Sequence, residues 1–117
     1  MLKPPPGTRV FVATVAVDMR RGFDGLAAAA REHMRREVLD EAGALFVFFN
    51  RRLDRVKILW WQVASYYLLY KRLEKGRFRV PPPLHLSDEH VAIDPTELLL
   101  ILDGVRLPKK KRHRTTE

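Results

Sequence analysis

Cysteine is absent from the 117-residue chain, which excludes a disulfide framework, a thiolate metal site and a cysteine nucleophile, and fits a reducing compartment. Long apolar runs are missing too: none approaches the ~20 residues that a membrane span requires. The opening MLKPPPGTRV lacks the basic-then-apolar order of a secretory signal. A cytoplasmic location without membrane attachment is the expectation. There is no Gly-rich phosphate loop, nucleophile elbow or dinucleotide fingerprint. His33, His85, His90 and His113 show no ligand spacing, so neither a metal nor a cofactor is expected. The length suits one domain, which excludes a two-domain enzyme.

Positive charge is what the chain has in excess. Its 22 Lys and Arg stand against 14 Asp and Glu, a formal net charge of +8, with a pI near 10.3. The excess is uneven. Residues 51–79 carry Arg51, Arg52, Arg55, Lys57, Lys71, Arg72, Lys75, Arg77 and Arg79 against only Asp54 and Glu74, a net of +7. Residues 80–105 hold five acids and no Lys or Arg, whereas the tail from Arg106 is again basic. A surface made only for solubility intersperses both signs, while a block of one sign attracts polyanions. These nine basic residues are therefore the candidate nucleic-acid ligands, with solvated strand-edge charge as the alternative.

Hydrophobic periodicity gives the elements. Thr8 to Val17 is β-branched and aromatic, the signature of a first strand. Over Gly22 to Leu39 the period changes: Phe23, Leu26, Ala27, Ala30, Met34 and Val38 recur at helical steps, predicting an amphipathic helix capped by Asp18 or Asp24. Ala44 to Phe49, Arg55 to Trp61 and Ser65 to Leu73 read as three strands joined by short loops, hence an antiparallel meander. A fourth short strand is expected from Arg77. Pro81, Pro82 and Pro83 mark a stiff connector, and Val91 to Ile93 reads as a brief strand. Asp94-Pro95-Thr96-Glu97 opens a closing helix that stops at Gly104. The expected fold is α+β: an antiparallel meander of four to five strands packed against one long amphipathic helix, plus a short C-terminal helix. Residues 1–107 form one domain and 108–117 a basic, disordered tail.

Three ordered blocks carry a resemblance: Val17 to Leu26 (VDMRRGFDGL), Leu45 to Trp61 (LFVFFNRRLDRVKILWW) and Tyr70 to Phe78 (YKRLEKGRF), with LLLILDGV at the end. Together they resemble the TnpB accessory proteins of the bacterial insertion-sequence family numbered sixty-six, the second-reading-frame products of those elements. The RNA-guided nucleases that share the name TnpB are far longer. Gln62, where family members often have an acidic residue, and Val80, where an aromatic is usual, depart from the pattern. The resemblance implies a product that works beside a separate catalytic transposase in transposition of a mobile element.

The functional expectation joins the two lines. Arg51, Arg52 and Arg55 at one hairpin tip, and Lys71, Arg72, Lys75, Arg77 and Arg79 around another, bind DNA. Guanidiniums grip phosphate oxygens in a bidentate way, and the first and third tips of a meander lie at the same end. The partners expected are the element's DNA ends and its transposase, with a homodimer or a transposase contact covering the second sheet face if both faces are apolar. Trp60, Trp61, Tyr66, Tyr67 and Tyr70 are assigned to packing before base stacking. Asp18, Asp24, Asp54 and Glu74 lack the spacing of a metal-dependent nuclease, so a non-catalytic protein is expected. The rival readings are a transposase adaptor without essential DNA contact and a small nuclease.

Overall fold

A strand such as LFVFF, apolar at every position, needs both faces of its sheet covered. The computed structural model, which describes residues 2–104, provides this. The elements are β1 (Val10–Ala13), α1 (Phe23–Met34), a 3-10 turn (Val38–Asp40), β2 (Leu45–Phe49), β3 (Arg55–Gln62), β4 (Ser65–Arg72), β5 (His90–Ile93) and α2 (Pro95–Leu102). They build one five-stranded sheet in the order β4-β3-β2-β1-β5. Side chains alternate across it. Val10, Val12, Val47, Phe49, Val56 and Ile58 share one core with Leu98, Ile101 and Leu102 of α2. Phe11, Phe46, Phe48 and Leu59 share the other with Leu26, Ala27, Ala29, Ala30 and Met34 of α1. The alanines let the helix backbone approach three large rings.

The meander β2-β3-β4 is antiparallel, as expected, but β1 is not part of an antiparallel run. It pairs parallel with β2, because a helix crossover returns the chain to the same end of the sheet. β5 then adds antiparallel to the free side of β1. The expected strand at Arg77 is replaced by irregular chain: Leu73 N donates to Asp54 O at 2.8 Å and Phe78 N to Leu53 O at 2.6 Å. Leu73, Phe78 and Val80 pack into the α2-side core. Helix α2 covers the centre of this face, while Tyr67, opposite Trp60 on β4, stays 44% exposed at its edge.

Helix α1 has 12 residues and ends at Met34, short of the expected Leu39. Arg35 takes a left-handed conformation, φ 54°, and its N–H and that of Arg36 bond carbonyls of the last turn. The usual glycine signal for such a stop is missing, and the apolar period runs on through Val38. At its other end the N-cap is Gly22, with no side-chain cap, so neither Asp18 nor Asp24 plays the expected part. Asp24 instead lies in the first turn, where a carboxylate favours the helix dipole. Helix α2 begins as its sequence dictates: Asp94 Oδ1 accepts from Glu97 N at 2.8 Å, with Pro95 in the first turn. The basic tail, 108–117, lies outside the described residues.

The β3–β4 hairpin turns through Val63 and Ala64, both at positive φ (49° and 55°). This is the backbone of a two-residue turn that favours Asn-Gly, occupied here by residues for which the left-handed region costs ~1–2 kcal/mol each. Val63→Asn/Ala64→Gly is therefore expected to stabilise the fold by about 1–2 kcal/mol, read as a higher urea midpoint at unchanged slope.

Candidate nucleic-acid interface

Because β1 and β2 are parallel, their C-terminal ends lie side by side, and residues 14–22 and 50–54 leave the sheet together. The 50–54 loop is closed by amide chemistry rather than by arginine. Asn50 Oδ1 accepts from the N–H groups of Asp54 and Arg55, both at 3.0 Å, and Asn50 Nδ2 donates to Asp54 Oδ1 at 2.6 Å. The Asn50 bond holds the Asp54 carboxyl below the usual carboxylate range, with smaller help from the charges of Arg52 and Arg55. Arg55 Nη1 donates to Tyr70 Oη at 3.1 Å. Arg51 and Arg52 are thus left exposed, without an ion-pair partner among the described residues.

The loop after β4 joins this one. The bonds from Leu73 N and Phe78 N to the carbonyls of Asp54 and Leu53 tie residues 73–78 directly to the first tip. Phe78, 1% exposed, packs on Phe49 with ring centroids 5.5 Å apart. It anchors a segment whose neighbours Arg77 and Arg79 face solvent, as does Lys75 before the positive-φ turn at Gly76. First and third connections meet at one end, as the meander requires.

A cleft of about 560 Å³ opens between residues 16–20 and the 50–55 loop, lined by Asp18, Arg20, Arg51, Arg52, Asp54 and Arg55. Arg20 chelates Asp18, with Nη2 to Oδ2 at 2.7 Å and Nε to both oxygens. This pair, aided by the Arg20 backbone N–H, lowers the Asp18 pKa to about 2. A depressed carboxylate favours the native state above its unfolded value near 3.8, and this contribution fades as pH falls through about 2. Carboxyl NMR is expected to place the Asp18 midpoint near 2 and to move it back toward 3.8 in Arg20→Ala.

Two of the nine candidates point elsewhere. Lys57 is buried, 7% exposed, and its Nζ donates to Met19 O at 2.7 Å and Arg21 O at 2.9 Å. It is a strut under the 18–22 loop and offers no ammonium to a ligand. Lys71 Nζ donates to Leu102 O, a last-turn carbonyl of α2 on the opposite side of the sheet. Arg72 stays exposed, pairing with Glu74 at 3.1 Å. The sequence reading did not include Arg20 and Arg21 among the ligands; their adjacency in VDMRRGFDG was the signal, diluted by the near-neutral charge of residues 1–50.

Residues 14–22, 50–55 and 72–79 thus hold nine cations against Asp18, Asp54 and Glu74. Several cations elsewhere are neutralised: Arg9 and Arg36 share Glu41 at 2.6 and 2.8 Å, and Arg31 pairs with Glu37 at 3.1 Å, while Lys3 and Arg35 are exposed. Of the carboxylates weighed as metal ligands, Asp18 is held by Arg20 and Asp54 by Asn50.

The site therefore belongs to a small α+β domain that concentrates unpaired guanidiniums at one sheet end. The chain is a member of the family described as IS66 Orf2 like protein, which matches residues 8–112; this is the accessory product of an insertion sequence. Two relatives come from Sinorhizobium fredii (strain NBRC 101917 / NGR234), each titled an uncharacterized protein. The chain is 35% identical to y4jC over 121 residues, covering 100% of this chain and 98% of the relative. It is 36% identical to y4hO over 105 residues, covering 90% and 87%. No solved structure matches. Among the described residues, no helix is long and apolar enough to cross a membrane.

Proposed function

We propose that the protein is a non-catalytic accessory factor of transposition, which binds DNA at the element's ends through its basic sheet end and works there beside the element's transposase. One observation carries this reading. The hydrogen bonds from Leu73 and Phe78 to the 50–54 loop gather Arg51, Arg52, Lys75, Arg77 and Arg79 from separate bends, and Arg20 faces Arg51 and Arg52 across the cleft. Cations fixed by a folded scaffold meet phosphates without the entropy cost of ordering them, and the excess of one sign steers a polyanion to this end.

The test is a titration of element-end duplex against the protein at several salt concentrations. With about six phosphates neutralised, log affinity is expected to fall against log salt with a slope near −5. A flat response would falsify the electrostatic reading. The adaptor alternative would use a second surface: Leu86 is fully exposed and Leu84 partly so, beside Asp88 and Glu89 in the acidic stretch. If this contact alone serves transposition, as an adaptor requires, Leu86→Lys abolishes transposition while Arg51→Ala/Arg52→Ala leaves it intact.

A further inference from the structure

The basic end as described grips phosphates, and phosphate contacts carry no information about the bases or their pairing. The aromatic side chains of β3 and β4 divide sharply in this respect. Trp60 and Tyr67 stack on each other with centroids 5.4 Å apart; Tyr66 lies between Phe23 at 6.0 Å and Trp61 at 4.9 Å. Trp60 and Tyr67 each give one face to the other, Tyr66 gives one to Phe23, and Trp61 meets Tyr66 edge-on. Tyr70 has no ring partner among the described residues. It pairs across the strands with Lys57, and Arg55 pairs with Arg72 at the adjacent basic end.

Tyr70 is nevertheless 49% exposed and held in place. Its hydroxyl accepts from Arg55 Nη1 at 3.1 Å, and the Lys57 ammonium sits 4.7 Å from its ring centroid. That ammonium is itself fixed by two carbonyls of the 18–22 loop. One ring face is therefore occupied by a cation and the other is turned to solvent. A rigid ring loses little conformational freedom on binding. A cation on one face draws electron density from the other, which suits stacking on an electron-rich base.

We infer that Tyr70 is a stacking platform for an unpaired base, with Arg55 and Arg72 holding the phosphates beside it, so that the basic end takes single-stranded or frayed DNA in addition to duplex. This rests on the DNA-binding reading above and adds strandedness to it. A base still paired within a duplex has no free face to offer the ring; an unpaired one does, whatever its identity.

The experiment compares a short fluorescein-labelled deoxyadenylate strand with a mixed-sequence duplex of equal length, by anisotropy at one salt concentration, for the wild type, Tyr70→Phe and Tyr70→Ala. Tyr70→Ala is expected to weaken single-strand binding roughly 5- to 150-fold, the range spanned by one base–aromatic stack, with duplex binding unchanged. Tyr70→Phe keeps the ring and most of the single-strand affinity. Photo-cross-linking of a 5-iododeoxyuridine strand to wild-type protein is expected to label Tyr70, a readout independent of any variant's folding. If wild type binds duplex with the steep salt slope while Tyr70→Ala leaves single-strand affinity unchanged, or lowers both affinities equally, the platform is overturned and the electrostatic interface stands. If wild type binds neither probe, both readings fall together.

Discussion

Arg51→Ala/Arg52→Ala is expected to lower affinity for duplex DNA roughly 60-fold at about 0.1 M salt, and to make the log–log salt slope shallower by about 2. Each phosphate contact releases counterions with an exponent near 0.9, which is roughly eightfold per contact at that salt. The two guanidiniums contribute this in full because neither is engaged elsewhere. Stability should hardly change, since Asn50 and Asp54 close the loop without them. Arg31→Ala supplies the contrast: that cation lies on α1 and is paired with Glu37 beyond the helix end, so its removal should leave affinity and slope as they are. Fluorescence anisotropy over a salt series distinguishes the two variants. Equal losses from both would mean that overall charge, and not this end of the sheet, governs binding.

The difference between Arg51 and Lys57 also shows what a linear sequence reveals of such a site. Alternation along β3 sets Lys57 on the face of Leu59 and Trp61, opposite Val56 and Ile58. A lysine flanked by core residues in a strand is a sign of an inward ammonium, but counting charge by segment passes over it. Lys71 could not be assigned from its neighbours at all, because its acceptor, Leu102, lies 31 residues away on α2. Local signals served well where the determinants are local: the Asp94-Pro95 start of α2, the short meander loops and the adjacency of alternate tips. They failed where a partner distant in sequence decides the outcome. β1 is a strand on its own evidence, yet only the path of α1 makes it parallel to β2. Arg77 to Val80 alternates like a strand, yet Phe78 donates its N–H to Leu53 across the adjoining loop. Gathering Arg20 with Arg51 and Arg52 depended on that same parallel pairing, which the sequence pattern did not disclose.

Phe78→Ala should be the most destabilising single change at this end of the sheet, costing about 3–5 kcal/mol, or roughly 2 M in urea midpoint for a domain of this size. The ring is almost fully buried, packs on Phe49 and belongs to the core beneath α2, so its removal leaves a cavity that the rigid sheet cannot collapse into. Its backbone N–H also closes the bond that joins residues 73–78 to the 50–54 loop. Loosening that junction frees Lys75, Arg77 and Arg79 from their place beside Arg51 and Arg52, so the fraction that remains folded should bind duplex more weakly, although no charge has been removed. Phe78→Leu refills most of the volume and is expected to restore the greater part of both properties. Lys75→Ala/Arg77→Ala makes the opposite separation, with affinity and salt slope reduced and the urea midpoint unchanged. Should Phe78→Ala unfold at the wild-type urea concentration, the segment is not anchored by this ring, and the electrostatic strip would have to hold without the packing that places it.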